Sequence, residues 1–144
     1  MSLLDADPAD LSQTGGCLCS EVSYRVTGAL RPVVFCHCEQ CRRTSGHFVA
    51  ATSAPRDSVE IEGPVTWFDS SATARRGFCG ICGSNLFWDG GGARLSIHAG
   101  TLDKPTGLSA QGHIFCASRG DYYEIADNLP QAPGADPDMT TEMP

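Results

Sequence analysis

Cys36-His37-Cys38-Glu39-Gln40-Cys41 places three thiols within six residues, close enough for one ion to gather all of them. A disulfide between neighbours this near is poorly placed, because bridge geometry is demanding. A soft divalent metal meets no such difficulty, since thiolates reach zinc at about 2.3 Å from short turns. The triplet therefore reads as a metal site. Three protein ligands with one exchangeable position make a catalytic zinc, whereas a closed four-ligand shell is structural. The chemistry turns on whether another Cys or His completes the set.

Cys79-Gly80-Ile81-Cys82-Gly83 is the strongest single signal. Two thiolates on such a knuckle bind one ion while accepting backbone N–H bonds, and Gly83 suits the left-handed turn that follows. A redox Cys-x-x-Cys would sit at a helix start in a βαβ setting; here strand patterns flank it, so metal is favoured. A knuckle supplies only two ligands, and its partner pair is either Cys17/Cys19 or Cys38/Cys41. Spacing leaves both open. His37 lies between two of the thiols, but in an extended segment it points opposite to Cys36 and Cys38. Cys116, alone, reads as a small buried hydrophobe. His47, His98 and His113 fall on apolar strands and read as core histidines. Arg42, Arg43, Arg75 and Arg76 are either solvated surface or a clamp for a carboxylate through bidentate bonds.

The elements that must position these groups are mostly strands. Val22, Tyr24 and Val26 alternate with Ser23, Arg25 and Thr27, which predicts a strand over Glu21–Thr27. Pro32–Phe35 predicts a short strand delivering the chain to the triplet, and a tight turn or one helical turn over Glu39–Thr44, stopped by Gly46, would aim Cys38 and Cys41 the same way. Further strands are expected at His47–Thr52, Ser58–Glu62, Val65–Asp69, Gln111–Phe115 and Tyr122–Ile125. Asn85–Trp88 and Arg94–His98 read as a hairpin across Asp89-Gly90-Gly91-Gly92. No sustained 3.6-residue period occurs, so the expected class is all-β. Residues 1–14 are expected as a flexible acidic arm, 15–125 as a single β domain and 126–144 as a disordered, proline-rich acidic tail.

At 144 residues and 41% hydrophobic composition the chain can build a real core, so metal supplements the fold rather than replacing it. Residues 1–14 carry three acids, no basic region and no apolar run of signal-peptide length. No stretch is apolar enough to span a bilayer. We therefore expect a cytoplasmic protein whose clustered cysteines bind metal or do chemistry. Of seventeen acids, seven (Asp5, Asp7, Asp10, Asp127, Asp136, Asp138 and Glu142) lie in the two ends, and the ten left match the ten cations. A neutral centre lacks the basic excess of a nucleic-acid binder. Oligomeric state is not legible in the sequence.

Gly16-Cys17-x-Cys19, Cys36-His37-Cys38-x-x-Cys41-Arg42-x-x-Ser45-Gly46, Arg76-x-Phe78-Cys79-x-x-Cys82-Gly83-Ser84-x-Leu86, Gly100-x-Leu102-Asp103 and His113-Ile114-Phe115 occur in this order. Over about residues 15–125 the pattern resembles the glutathione-dependent formaldehyde-activating enzymes and the centromere protein V group. The resemblance implies an Mss4-like zinc-binding fold of several small antiparallel sheets. It also implies a structural zinc on Cys17, Cys19, Cys79 and Cys82, and a labile or catalytic zinc on Cys36, Cys38 and Cys41. The implied activity is that of a carbon–sulfur lyase or synthase, joining formaldehyde or another small aldehyde to a thiol such as glutathione. Zinc would hold the thiol as its thiolate for attack on the carbonyl carbon. The alternative is a non-catalytic, zinc-stabilised β domain that binds another protein, since fold alone does not decide function.

Overall fold

The computed structural model describes residues 11–140. They divide into two compact units, one of residues 11–30 and 53–107, the other of 31–52 and 108–140. Strands dominate both, and only two short α-helices and three single 3-10 turns occur among the described residues. The expected all-β class is met.

In the first unit, β1 (Ser12–Gly16), β2 (Ser23–Thr27) and β5 (Val59–Glu62) make an antiparallel sheet with β2 in the middle. Tyr24 and Val26 face inward from β2 while Ser23, Arg25 and Thr27 face out, the alternation of a half-buried strand. A second antiparallel run joins β6 (Val65–Asp69), β7 (Arg75–Cys79), β8 (Asn85–Asp89) and β9 (Arg94–His98). Its core holds Leu86, Phe87, Leu95 and Ile97, with Tyr24 edge-on to Phe87 at 5.3 Å between ring centroids. The expected β8–β9 hairpin forms, Phe87 opposite Ile97. Asp89 ends β8 by accepting two bonds from Arg56, at 3.0 and 2.7 Å, one from Arg75 Nε at 3.2 Å and one from the Gly91 N–H at 2.8 Å.

In the second unit, β3 (Val33–Cys36) runs antiparallel to β4 (Val49–Pro55, whose first four residues belong here) and parallel to β10 (Ala110–Ile114). The parallel pair departs from the antiparallel expectation. The register sets His113 opposite Phe35 and Ile114 opposite Cys36. Helix α1 (Glu39–Ser45) follows the triplet's first two thiols and ends at Gly46, whose φ of 85° is open to glycine without strain. Of the two alternatives expected over Glu39–Thr44, a tight turn or a helical turn, the helix forms.

Three expectations are corrected. Residues 1–10 lie outside the described part, but Ser12–Thr14, expected in a loose arm, are paired along β2 in register with Thr27, Val26 and Arg25. The segment has little apolar content; backbone hydrogen bonds to β2 recruit it, with Gln13 Nε2 and Thr14 Oγ1 each donating to Asp103 at 2.7 Å. Tyr122–Ile125 forms no strand, because the hydroxyls of Tyr122 and Tyr123 are turned to His47 and His37. Residues 126–140, expected to be disordered, are laid down on the second unit; 141–144 lie outside the described part. The N–H groups of His113 and Phe115 donate to the carbonyls of Pro130 and Gly134, and the Ala132 N–H returns a bond to His113. Prolines cannot donate, yet their carbonyls accept, so this segment covers the open edge of β10. Arg31, 4% exposed, holds its far end through Nη1 to the Thr140 carbonyl at 2.8 Å. The helix α2 (Pro137–Thr140) closes it.

Candidate metal centre

Two thiol clusters form, one in each unit. In the first, Cys17 and Cys19 leave the end of β1, while Cys79 ends β7 and Cys82 follows on the knuckle turn. All four sulfurs lie within 4.8 Å of one another. The Sγ–Sγ separations are 3.5 Å for Cys17–Cys19 and 3.7 Å for Cys19–Cys79. Four sulfurs at about 2.3 Å around one zinc stand about 3.8 Å apart in a tetrahedron, so the set matches that geometry. Backbone N–H groups aim at the sulfurs as they would at thiolates: Val22 N–H to Cys17 at 3.2 Å, and Ile81 and Cys82 N–H to Cys79 at 3.4 Å each. Gly83, at φ 79°, lets the knuckle turn back. This arrangement joins Cys17/Cys19, rather than Cys38/Cys41, to the 79/82 knuckle.

Electrostatics within this set call for a cation. Cys82 is lowered to about 5, first by the Ser84 hydroxyl and then by backbone N–H bonds. Cys19 is instead pushed up to about 12. The Glu21 N–H is its largest single influence and lowers it, but desolvation and the thiols of Cys17, Cys82 and Cys79 together outweigh that bond. Four sulfurs this close cannot all ionise by themselves. A soft divalent ion removes that conflict, and the donor set fits zinc.

The second cluster is local. Cys36 ends β3, Cys38 caps α1 and Cys41 lies in its first turn, and the three sulfurs fall within 4.8 Å. Cys38 Sγ accepts the Cys41 N–H at 3.3 Å, which is the N-cap bond of the helix. The Cys36 thiol is pushed far above its ordinary range, first by hydrogen bonding with Cys38 and then with Cys41. Three crowded thiols again fit a soft cation. Among the described residues this set supplies three ligands. None of the eight cysteines is disulfide-bonded, and Cys116 is buried as expected.

His37, between Cys36 and Cys38, is fully buried. Its Nδ1 meets the Tyr123 hydroxyl at 2.7 Å and its Nε2 meets His113 Nδ1 at 2.9 Å. His113 Nε2 in turn donates to the Asp127 carboxylate at 2.9 Å. Burial, then the neighbouring His113, lowers His37 to about 4. Sequence reasoning set His37 aside as a ligand and read His113 as a core histidine. It missed Tyr123 and Asp127, one assigned to a strand and the other to a disordered tail. His47, expected on an apolar strand, is exposed, and its Nδ1 meets the Tyr122 hydroxyl at 2.8 Å.

The arginines fall on two elements. Arg42 and Arg43 are on α1, Arg43 paired with Glu39 one turn earlier at 3.2 Å. Arg42 Nε is buried without a hydrogen-bond partner among the described residues. Arg75 and Arg76 are on β7, in the other unit. Arg75 is engaged by Asp89 and lies 4.1 Å over the Trp67 ring, and Arg76 is buried.

Residues 12–118 match the family model of the glutathione-dependent formaldehyde-activating enzymes. The chain belongs to that family. It is 33% identical over 116 residues to an uncharacterized lyase of Schizosaccharomyces pombe, a match covering 78% of this chain and 85% of the relative. A crystal structure of a Rhodobacter sphaeroides protein shares the fold with a TM-score of 0.55 at 21% identity, over 69% of this chain and 98% of that one. Both thiol clusters lie inside the span matched by the family model. Among the described residues no helix is long and apolar enough to cross a membrane.

Proposed function

We propose that the protein is a zinc-dependent carbon–sulfur lyase or synthase that joins formaldehyde, or another small aldehyde, to a thiol such as glutathione. The observation that carries this reading is the inequality of the two clusters: one brings four sulfurs together, the other three. A four-sulfur shell suits a structural ion, and a three-sulfur shell leaves one tetrahedral position for an exchangeable group. Zinc bound at Cys36, Cys38 and Cys41 would supply positive charge that favours the ionised form of a thiol near it.

In the reaction the thiol loses its proton, a sulfur–carbon bond forms at the aldehyde carbon, and the former carbonyl oxygen gains a proton. The reverse direction splits the same bond. The protein's share is to hold the three sulfurs on one short segment and to position the substrate thiol. Family membership and the lyase relative support the reaction type. For the thiol's carboxylates the candidate clamps beside the triplet are Arg42 and Arg43, on α1; Arg75 and Arg76, the other two expected clamps, belong to the other unit. Arg42 is the foremost, since Arg43 already has a carboxylate partner in Glu39 and Arg42 Nε has no hydrogen-bond partner among the described residues.

The reading is tested by offering the zinc-loaded protein a panel of thiols with formaldehyde and detecting the adduct directly. Glutathione or another thiol consumed faster than in protein-free buffer supports it. No acceleration with any thiol favours a second reading, a non-catalytic module that binds a protein. That alternative has its own observation: Leu18 and Ile81, at the tips of the two turns of the four-cysteine set, are 87% and 64% exposed.

A further inference from the structure

We infer that Asp127 and His113 are positioning residues for the three-cysteine metal loop, acting through the ring of His37. The inference rests on the proposed occupation of Cys36, Cys38 and Cys41 by a metal. Every group in it lies in one unit.

Cys36, His37 and Cys38 connect β3 to α1 with no regular structure at His37 and Cys38. Alternate side chains of an extended segment point to opposite faces, so fixing His37 on one face fixes its two neighbours on the other. His37 is held at its backbone and at its ring. Its N–H donates to the Ile114 carbonyl at 3.0 Å. Its ring packs against Phe48 and Tyr123, at 4.7 and 5.5 Å between centroids, and those two rings touch each other at 5.5 Å. Both ring nitrogens are used, by Tyr123 and by His113.

An imidazole ring fixed at one nitrogen still pivots; fixed at both, it does not. The His113 bond is therefore decisive, and His113 needs an anchor of its own. Asp127 provides it, with both carboxylate oxygens near Nε2, at 3.0 and 2.9 Å. The carboxylate is itself oriented by the Leu129 N–H, at 3.1 Å to Oδ1. Just after this contact the chain is tied to β10, through the Pro130 carbonyl to the His113 N–H and through the Ala132 N–H to the His113 carbonyl. The segment that sequence reads as a disordered tail thus reaches the metal loop through two buried histidines. Partners that orient metal ligands in this indirect way commonly set metal affinity and lability.

The experiment uses the full-length, zinc-loaded protein and a chromogenic chelator in excess. Wild type is expected to release zinc in two phases, one equivalent fast from the three-cysteine loop and one slow from the four-cysteine set. The Asp127 side chain is 43% exposed, so water can replace it in Asp127→Ala without emptying a core. Asp127→Ala is expected to speed the fast phase severalfold, up to about tenfold, the low end of what loss of a partner bonded directly to a ligand costs in affinity. The slow phase and the melting temperature should stay at wild-type values, and Asp127→Glu should restore the slower rate.

An unchanged fast phase in Asp127→Ala overturns the inference while leaving the two-metal reading intact. Acceleration of both phases together with a lower melting temperature also overturns it, since that is the signature of general loosening. A wild type that yields only one equivalent of zinc overturns the two-metal reading and this inference with it.

Discussion

Cys19 Sγ and Cys79 Sγ stand 3.7 Å apart although sixty positions separate them in the chain. Their approach, with Cys17 and Cys82, closes the connection between the start of β2 and the end of β7 inside one unit. A metal at this point ties together strands that otherwise meet only through sheet packing. Its binding free energy then counts toward folding.

Cys79→Ser is accordingly expected to lower the melting temperature sharply and to release zinc. Cys79 is fully buried and accepts two backbone N–H bonds at 3.4 Å, so the shorter, neutral serine hydroxyl also reaches those donors less well than a thiolate does. Thermal melts of wild type and variant beside elemental analysis check this. An unchanged melting temperature would show that the four sulfurs bind no structural ion.

Cys38→Ser should behave differently. Cys36, Cys38 and Cys41 share one short segment, so losing a ligand frees an ion without parting distant strands. Serine also retains an N-cap acceptor for the Cys41 N–H. The variant is expected to melt near wild type, to keep one zinc per chain and to lose thiol–aldehyde activity. Full activity in Cys38→Ser would remove the metal loop from the mechanism.

Arg42→Ala tests the clamp. If its guanidinium holds a carboxylate of the thiol, truncation should weaken glutathione binding by about 1.5–3 kcal/mol, the worth of a hydrogen bond to a charged group. Zinc content should not change. Calorimetric titration of the loaded variant with glutathione decides it, and wild-type affinity would exclude Arg42.

Asp89→Ala should destabilise the first unit. Asp89 is 5% exposed and gathers Arg56, Arg75 and the Gly91 N–H. The bonds to Arg56, joined by those from Gly91 and Arg75, outweigh the upward push of burial and leave its carboxyl far below the usual range. Because both arginines are partly exposed, water takes up some of the loss, and about 2 kcal/mol is expected by chemical denaturation. Arg43→Ala, which breaks only the exposed Glu39 pair, should cost at most about 0.5 kcal/mol.

His98 gives the protein an acid-sensitive limb. Burial, and then the charge of Arg76, lowers it from 6.5 to about 4. Between those values the unfolded chain binds a proton that the folded one does not, so stability falls as pH drops from about 6.5 toward 4. The slope from this group is at most about 1.4 kcal/mol per pH unit. His98→Gln should flatten the melting-temperature profile over that window relative to wild type. Parallel profiles would rule His98 out as the cause.

What the sequence by itself determined is what short spacing can encode. The Cys36–Cys41 cluster, the turn capped by Gly46, the 79/82 knuckle and the alternating faces of β2 and β9 depend on neighbours a few residues away. Backbone geometry translates those spacings directly into positions. Tertiary structure alone decided the rest. Which pair joins Cys79 and Cys82 is a question of sheet topology, and the residues left two answers until β1 and β7 were placed, the family resemblance implying one of them. β1 has too little apolar pattern to announce itself, because its pairing with β2 uses backbone groups that every residue carries. The segment after Asp127 has no period of its own and borrows the open edge of β10. Finally, His37 and His113 are seventy-six residues apart, and their bond exists only because β3 and β10 lie parallel and side by side.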